Sequence, residues 1–126
     1  MNEEIVQSQK FLKFDKQIEK KFLKDNIFMK FISEIQVLLN KYIKLNSINL
    51  DCQIYINKDF EVPELEKIIL SIIVENKSVE EKLDFWDEID NYLRKNIEAS
   101  SEFLKFDEKS KYLELNSVFF TNIELS

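Results

Sequence analysis

The sequence predicts an α+β fold: an antiparallel sheet of three or four strands, with an N-terminal helix or helix pair and one further helix packed on it, in α-β-β-α-β order. Three observations predict it. Over residues 8–45 the apolar residues recur at three- and four-residue steps, the period of one helix face. From Ile48 the period changes to two, as strands require. Ser78-Val79-Glu80-Glu81 then opens a second helical stripe with a capping-box sequence.

In the first segment Phe11, Phe14, Ile18 and Phe22 form one apolar set, and Phe28, Phe31, Ile32, Ile35, Leu38, Leu39, Tyr42 and Ile43 form another. Asp25-Asn26 between them suits the start of a second helix. A single helix through this point fits the period equally well. Residues 48–57 alternate, with Ile48, Leu50, Cys52, Ile54 and Ile56 on one side and Asn49, Asp51, Gln53, Tyr55 and Asn57 on the other. This is a half-buried strand.

A charged connection with Pro63 follows, and then a second strand over residues 65–74. Ile68, Leu70, Ile72 and Val74 make one face of it, while Ile69 and Ile73 flank Ser71 on the other. A strand apolar on both sides is either central or meets something with its second face.

The helix over residues 79–98 has Val79, Leu83, Trp86, Ile89, Leu93 and Ile97 on its stripe and Glu80, Asp84, Asp87, Glu88 and Asn91 outside. Acids crowd its first half and Arg94 and Lys95 its last, the order that suits the helix dipole. Residues 111–125 are expected to be a strand or hairpin, from Tyr112, Leu113, Leu115, Val118, Phe119, Phe120, Ile123 and Leu125, with a turn at 107–110. Phe103-Leu104-Lys105-Phe106 is either a short strand pairing across that turn or the frayed end of the helix. The pentapeptide that begins at Phe11 recurs at Phe103, but the flanking residues do not continue the match.

At 126 residues and 15.2 kDa the chain is expected to be one domain, residues 1–126, large enough for a core without staples. Its 44% hydrophobic and 33% charged residues fit a globular protein. Apolar runs fall short of the roughly 20 residues a membrane-spanning helix needs, and Met1-Asn2-Glu3-Glu4 lacks the basic start of a signal peptide. A lone cysteine, Cys52, forms no internal disulfide, so a reducing, cytoplasmic setting is expected. Glycine and histidine are absent, and Pro63, Ala99 and Arg94 are each single. Joint loss of residues with GC-rich codons points to an AT-rich genome before it points to function.

This composition removes whole classes of chemistry. A chain without histidine has no Ser-His-Asp or Cys-His device and no imidazole ligand. Without glycine it builds no phosphate loop, dinucleotide fingerprint or EF-hand, and one cysteine does not make a zinc site. Cys52 falls on the apolar side of its strand, where a thiol is inert. No catalytic residue and no cofactor is assigned; Asp51 and Glu61 would pair only if the fold joined them.

Two minor readings remain. Glu80, Asp84, Asp87 and Glu88 supply oxygen ligands for Mg²⁺ or Ca²⁺, although an exposed face of a capped helix explains the same acids. Lys13, Lys16, Lys20 and Lys24, interleaved with phenylalanines, suit nucleic acid. Against that stand a net charge of −6, a pI near 4.8 and a single arginine.

The span Glu61-Val62-Pro63-Glu64-Leu65-Glu66-Lys67-Ile68-Ile69-Leu70-Ser71-Ile72-Ile73-Val74, followed by Leu83-Asp84-Phe85-Trp86-Asp87-Glu88-Ile89, resembles small uncharacterised archaeal and bacterial proteins. They share an acidic, proline-containing loop, an alternating strand and a helix bearing Leu-x-x-Trp-Asp. The resemblance covers about a third of the chain. It implies the α-β-β-α-β order and supplies no catalytic residues.

The expected function is protein–protein association. Tyr55, Ile69 and Ile73 point away from a sheet covered on one side, and an aromatic from Phe119 or Phe120 joins them. Such a patch calls for a homo-oligomer or a protein partner. An inhibitory, antitoxin, immunity or anti-defence protein fits a small acidic chain of this kind. The alternative is a metal-dependent or nucleic-acid-associated accessory subunit.

Overall fold

The computed structural model describes residues 12–58, 61 and 66–125. Residues 1–4, Phe11 and residues 62–65, which entered the sequence reading, lie outside them. The elements are β1 (Leu12–Phe14), α1 (Lys16–Lys24), α2 (Asn26–Asn46), β2 (Leu50–Lys58), β3 (Glu66–Val74), α3 (Val79–Ser101), α4 (Phe106–Ser117) and β4 (Phe119–Ile123). The chain is α+β, built from two strand–helix–helix–strand halves.

The sheet has the order β1-β2-β3-β4 and is mixed, not antiparallel. Only β2 and β3 are antiparallel, in register from Leu50 opposite Val74 to Lys58 opposite Glu66. Leu12 stands opposite Cys52 in a parallel pair, and Phe119 opposite Ile68 in another. Connection length explains the difference. A short link reverses direction between β2 and β3, whereas each outer strand is reached through two helices, which return the chain to the same end of the sheet. The α-β-β-α-β order becomes β-α-α-β-β-α-α-β, because a strand precedes the first helix and a further helix precedes the last strand.

Two helices occupy the N-terminal region. Asp25 separates them by accepting from the amides of Ile27 and Phe28 at 3.0 and 3.1 Å, so its carboxylate starts α2. Residues 12–14, expected to be helical, form β1 instead; Asp15 then caps α1 by accepting from the Ile18 amide. Ser78 and Glu81 form the reciprocal capping box of α3. Residues 106–117 form α4, where a turn and strand were expected. That stretch holds no β-branched residue and is rich in Glu, Lys and Leu, which favour helix. The turn lies instead at residues 102–105, between α3 and α4.

One core joins the helices to one side of the sheet. Ile18, Phe28, Phe31, Ile35, Leu39, Ile89, Leu93 and Ile97 pack on Ile54, Leu70, Ile72 and Phe119. Phe31 meets Tyr112 and Phe119 edge-on, with centroids 5.5 and 5.6 Å apart, a favoured arrangement of ring quadrupoles. Because the chain has no glycine, the left-handed positions among the described residues fall to Ser47, which ends α2, and Asn76, between β3 and α3.

Candidate interaction surfaces

All four helices contribute to the one core, so they lie on a single side of the sheet. The other side carries the alternate residues of each strand. Tyr55 on β2 stands opposite Ile69 on β3, and Ile69 opposite Phe120 on β4. These three therefore form a continuous row across three strands. Phe120 is 41% exposed, and its ring lies under Lys67 Nζ at 5.5 Å. Phe119 does not belong here: alternation turns it into the core against Phe31.

Ile73 is exposed on the same side but is separated from the row. Lys13, Gln53, Ser71 and Asn122 occupy the intervening register positions and form a polar band. The apolar surface is thus one row and an isolated isoleucine, smaller than a patch running unbroken from Ile69 to Ile73.

At the margin of this side, β4 is an edge strand. Ile68 N–H donates to Val118 O at 2.8 Å and Glu124 N–H to Ile72 O at 2.9 Å, so the even-numbered residues of β4 face β3. Phe119, Thr121 and Ile123 turn their backbone polar groups outward. Arg94, from α3, covers part of this edge. Its Nη2 donates to Phe119 O at 2.7 Å and its Nε to Asp90 Oδ2 at 3.0 Å. Asp90 Oδ1 accepts from the Thr121 hydroxyl at 2.7 Å, and Thr121 Oγ1 in turn accepts from Trp86 Nε1 at 2.9 Å. The network leaves beside it a groove of about 430 Å³, lined by Leu83, Trp86, Asp87 and Phe120 among others.

The four acids proposed as metal ligands are divided by the turn of the helix. Asp84 and Glu88 border a groove with Tyr42 and Glu81, whereas Asp87 borders the groove beside β4. Among the described residues, no three acidic or thiol side chains stand where they would hold a metal ion. Glu88 accepts from the Tyr42 hydroxyl at 3.4 Å, and burial, with Glu88 second, raises the Tyr42 pKa. Asp51 is the second residue of β2 and Glu61 lies past its far end, so more than ~20 Å of strand separates them and they form no catalytic pair.

The lysines split as well. Lys16, Lys20 and Lys24 follow a four-residue step along α1 and are exposed, while Lys13 belongs to the sheet. The phenylalanines among them, Phe14 and Phe22, meet at a tilt with centroids 6.0 Å apart and pack on the core, so they offer no platform for bases. Cys52 is buried, and burial, aided by the Asp51 carboxylate, pushes its thiol up to about 12. A thiol held protonated in this way is no nucleophile at neutral pH.

Among the described residues, the most exposed large apolar side chains lie on the helical side, at the corner between α3 and α4. Phe103 is 92% exposed and Phe106 90%. Between α2 and this corner runs a groove of about 490 Å³, lined mainly by apolar atoms of Phe22, Met29, Val37, Leu104 and Tyr112. At its floor the Ser100 hydroxyl donates to Glu34. Two ion pairs edge the corner, Lys30 with Glu108 at 3.5 Å and Lys109 with Glu102 at 3.1 Å. Sequence reading missed this surface. The signal was Phe103-Leu104-Lys105-Phe106 itself, four residues that fit a short strand and a helix end equally and so gave no sign of lying outside both.

Comparisons with family models, with curated proteins and with solved structures found no match to this chain.

Proposed function

We propose that this chain is a small acidic protein-binding module. The observation that carries the reading is the pair Phe103 and Phe106, both almost wholly in water beside an apolar groove. Exposing two phenylalanines in one place costs about 3 kcal/mol or more relative to burying them, and apolar surface concentrated in this way marks interaction sites. The row Tyr55, Ile69 and Phe120, less exposed than those two rings, supplies a second apolar surface on the other side of the sheet.

A narrower reading belongs with this one: an inhibitory partner that covers another protein, as antitoxin, immunity and anti-defence proteins do. The exposed acids Glu80, Asp84, Asp87 and Glu88 on α3 support it, because they would steer a basic target. The test is affinity capture from the native host, with wild type and a Phe103→Asp/Phe106→Asp double variant as baits. Wild type is expected to retain a protein that the double variant loses. Equal capture by both baits sinks the reading, and capture unaffected by salt removes the acidic-steering part of it.

A further inference from the structure

We infer that the partner at the Phe103–Phe106 corner is a second copy of this chain, each copy seating its two phenyl rings in the other's groove. This rests on the reading of that corner as a binding surface and adds the identity of the occupant. Projection and recess lie side by side: Leu104 lines the groove, while its neighbours Phe103 and Phe106 stand clear of it. A two-fold axis through this surface brings both sets of rings to both grooves at once, as a self-complementary interface requires.

The area suffices. Two almost fully exposed rings per copy, four in the pair, bury roughly 700 Å². The receiving walls add several hundred more, through Met29, which is 36% exposed, and Val37, 47% exposed. The total comes to about 1,000 Å², the least expected of a specific interface. Methionine in the wall adapts readily to an incoming ring.

The charge pattern also admits this partner. A chain of net charge −6 repels its own copy wherever the acids concentrate. At this corner two acids are offset, because Lys30 pairs with Glu108 and Lys109 with Glu102. The acids of α3 named above lie elsewhere, on its outer face.

The test is sedimentation equilibrium of the purified full chain over a concentration series from low to high micromolar. The mass is expected to rise from 15.2 kDa toward twice that value. Phe103→Asp/Phe106→Asp should stay at the lower mass throughout with an unchanged circular dichroism spectrum, since neither ring is packed in the single chain. Val37→Lys, which charges the recess and leaves the rings, should also remain monomeric. A constant 15.2 kDa for wild type overturns the inference, as does dimerisation of either variant at wild-type strength. If wild type is monomeric yet captures a host protein through both phenylalanines, the occupant is that protein and the binding module stands. If neither association depends on the rings, both readings fall.

Discussion

Arg94 donates from Nη2 to the carbonyl oxygen of Phe119 at 2.7 Å, closing part of the free edge of β4 from a helix that packs on the sheet's covered side. Its guanidinium also lies against the Phe119 and Phe120 rings, at 5.9 and 5.8 Å. The only arginine of the chain thus satisfies an edge carbonyl, pairs with Asp90 and shields an aromatic at once. Planarity and several fixed donors make this feasible, and lysine has neither. Arg94→Lys should therefore behave more like Arg94→Ala than like wild type, each losing about 1–2 kcal/mol in urea unfolding. A lysine variant as stable as wild type would show that charge alone suffices.

Ile68 and Ile69 are neighbours on β3 that face opposite sides of the sheet, one in the core and the other in the row with Tyr55 and Phe120. Lysine at Ile68 would bury a charge with no partner, a change costing several kcal/mol. Lysine at Ile69 reaches water directly. Ile69→Lys is expected to melt within a few degrees of wild type and keep its circular dichroism, while Ile68→Lys loses its cooperative transition. Equal damage from both substitutions would mean that the second side of the sheet is covered.

How far these surfaces were legible depends on what each signal measures. Strict alternation in β2 and the Ser78–Glu81 capping box are local, and both led directly to the observed element. Strand direction is not local: β1 and β4 lie parallel to their neighbours because helices intervene, and β1 is too short to interrupt a helical-looking series of phenylalanines. Helix α4 was mistaken for a strand because it buries only Tyr112, so its apolar residues show no stripe. Phe119 and Phe120 could not be separated without the register, since a shift of one residue exchanges the two sides of a sheet. Phe103 and Phe106 illustrate the limit. Any phenylalanine in a sequence reads as core, and only the packed structure shows that these two have nothing over them.

Ser47 ends α2 at φ 49°, ψ 47°, a left-handed conformation in which a Cβ crowds the carbonyl and which glycine occupies without that cost. Ser47→Gly should stabilise the protein by about 0.5–1 kcal/mol, the gain being reduced by the greater entropy of glycine in the unfolded chain. A thermal melt several degrees above wild type is expected. Asn76, at φ 61°, should gain less, because asparagine tolerates this region better than serine.

Cys52 couples the core to alkaline pH. Its thiol is raised from 9.0 to about 12, first by burial and then by the nearby Asp51 carboxylate. In the unfolded chain it titrates near its ordinary value, so between about pH 9 and 12 the folded state holds a proton that the unfolded state releases. Stability from this group is complete below pH 9 and falls as pH rises through that window, by up to about 1.4 kcal/mol per unit. Tyr42 and Tyr112 are raised by burial too, so their contribution has the same sign and must be removed by comparison. Cys52→Ala keeps both tyrosines and lacks the thiol. Its denaturant midpoint should be lower than wild type at neutral pH, from the lost packing of sulfur, yet fall less steeply above pH 9. Parallel alkaline slopes for the two proteins would show that the thiol is not held protonated by the fold. A thiol reagent offers an independent check: modification at pH 8 should proceed only as fast as the chain unfolds.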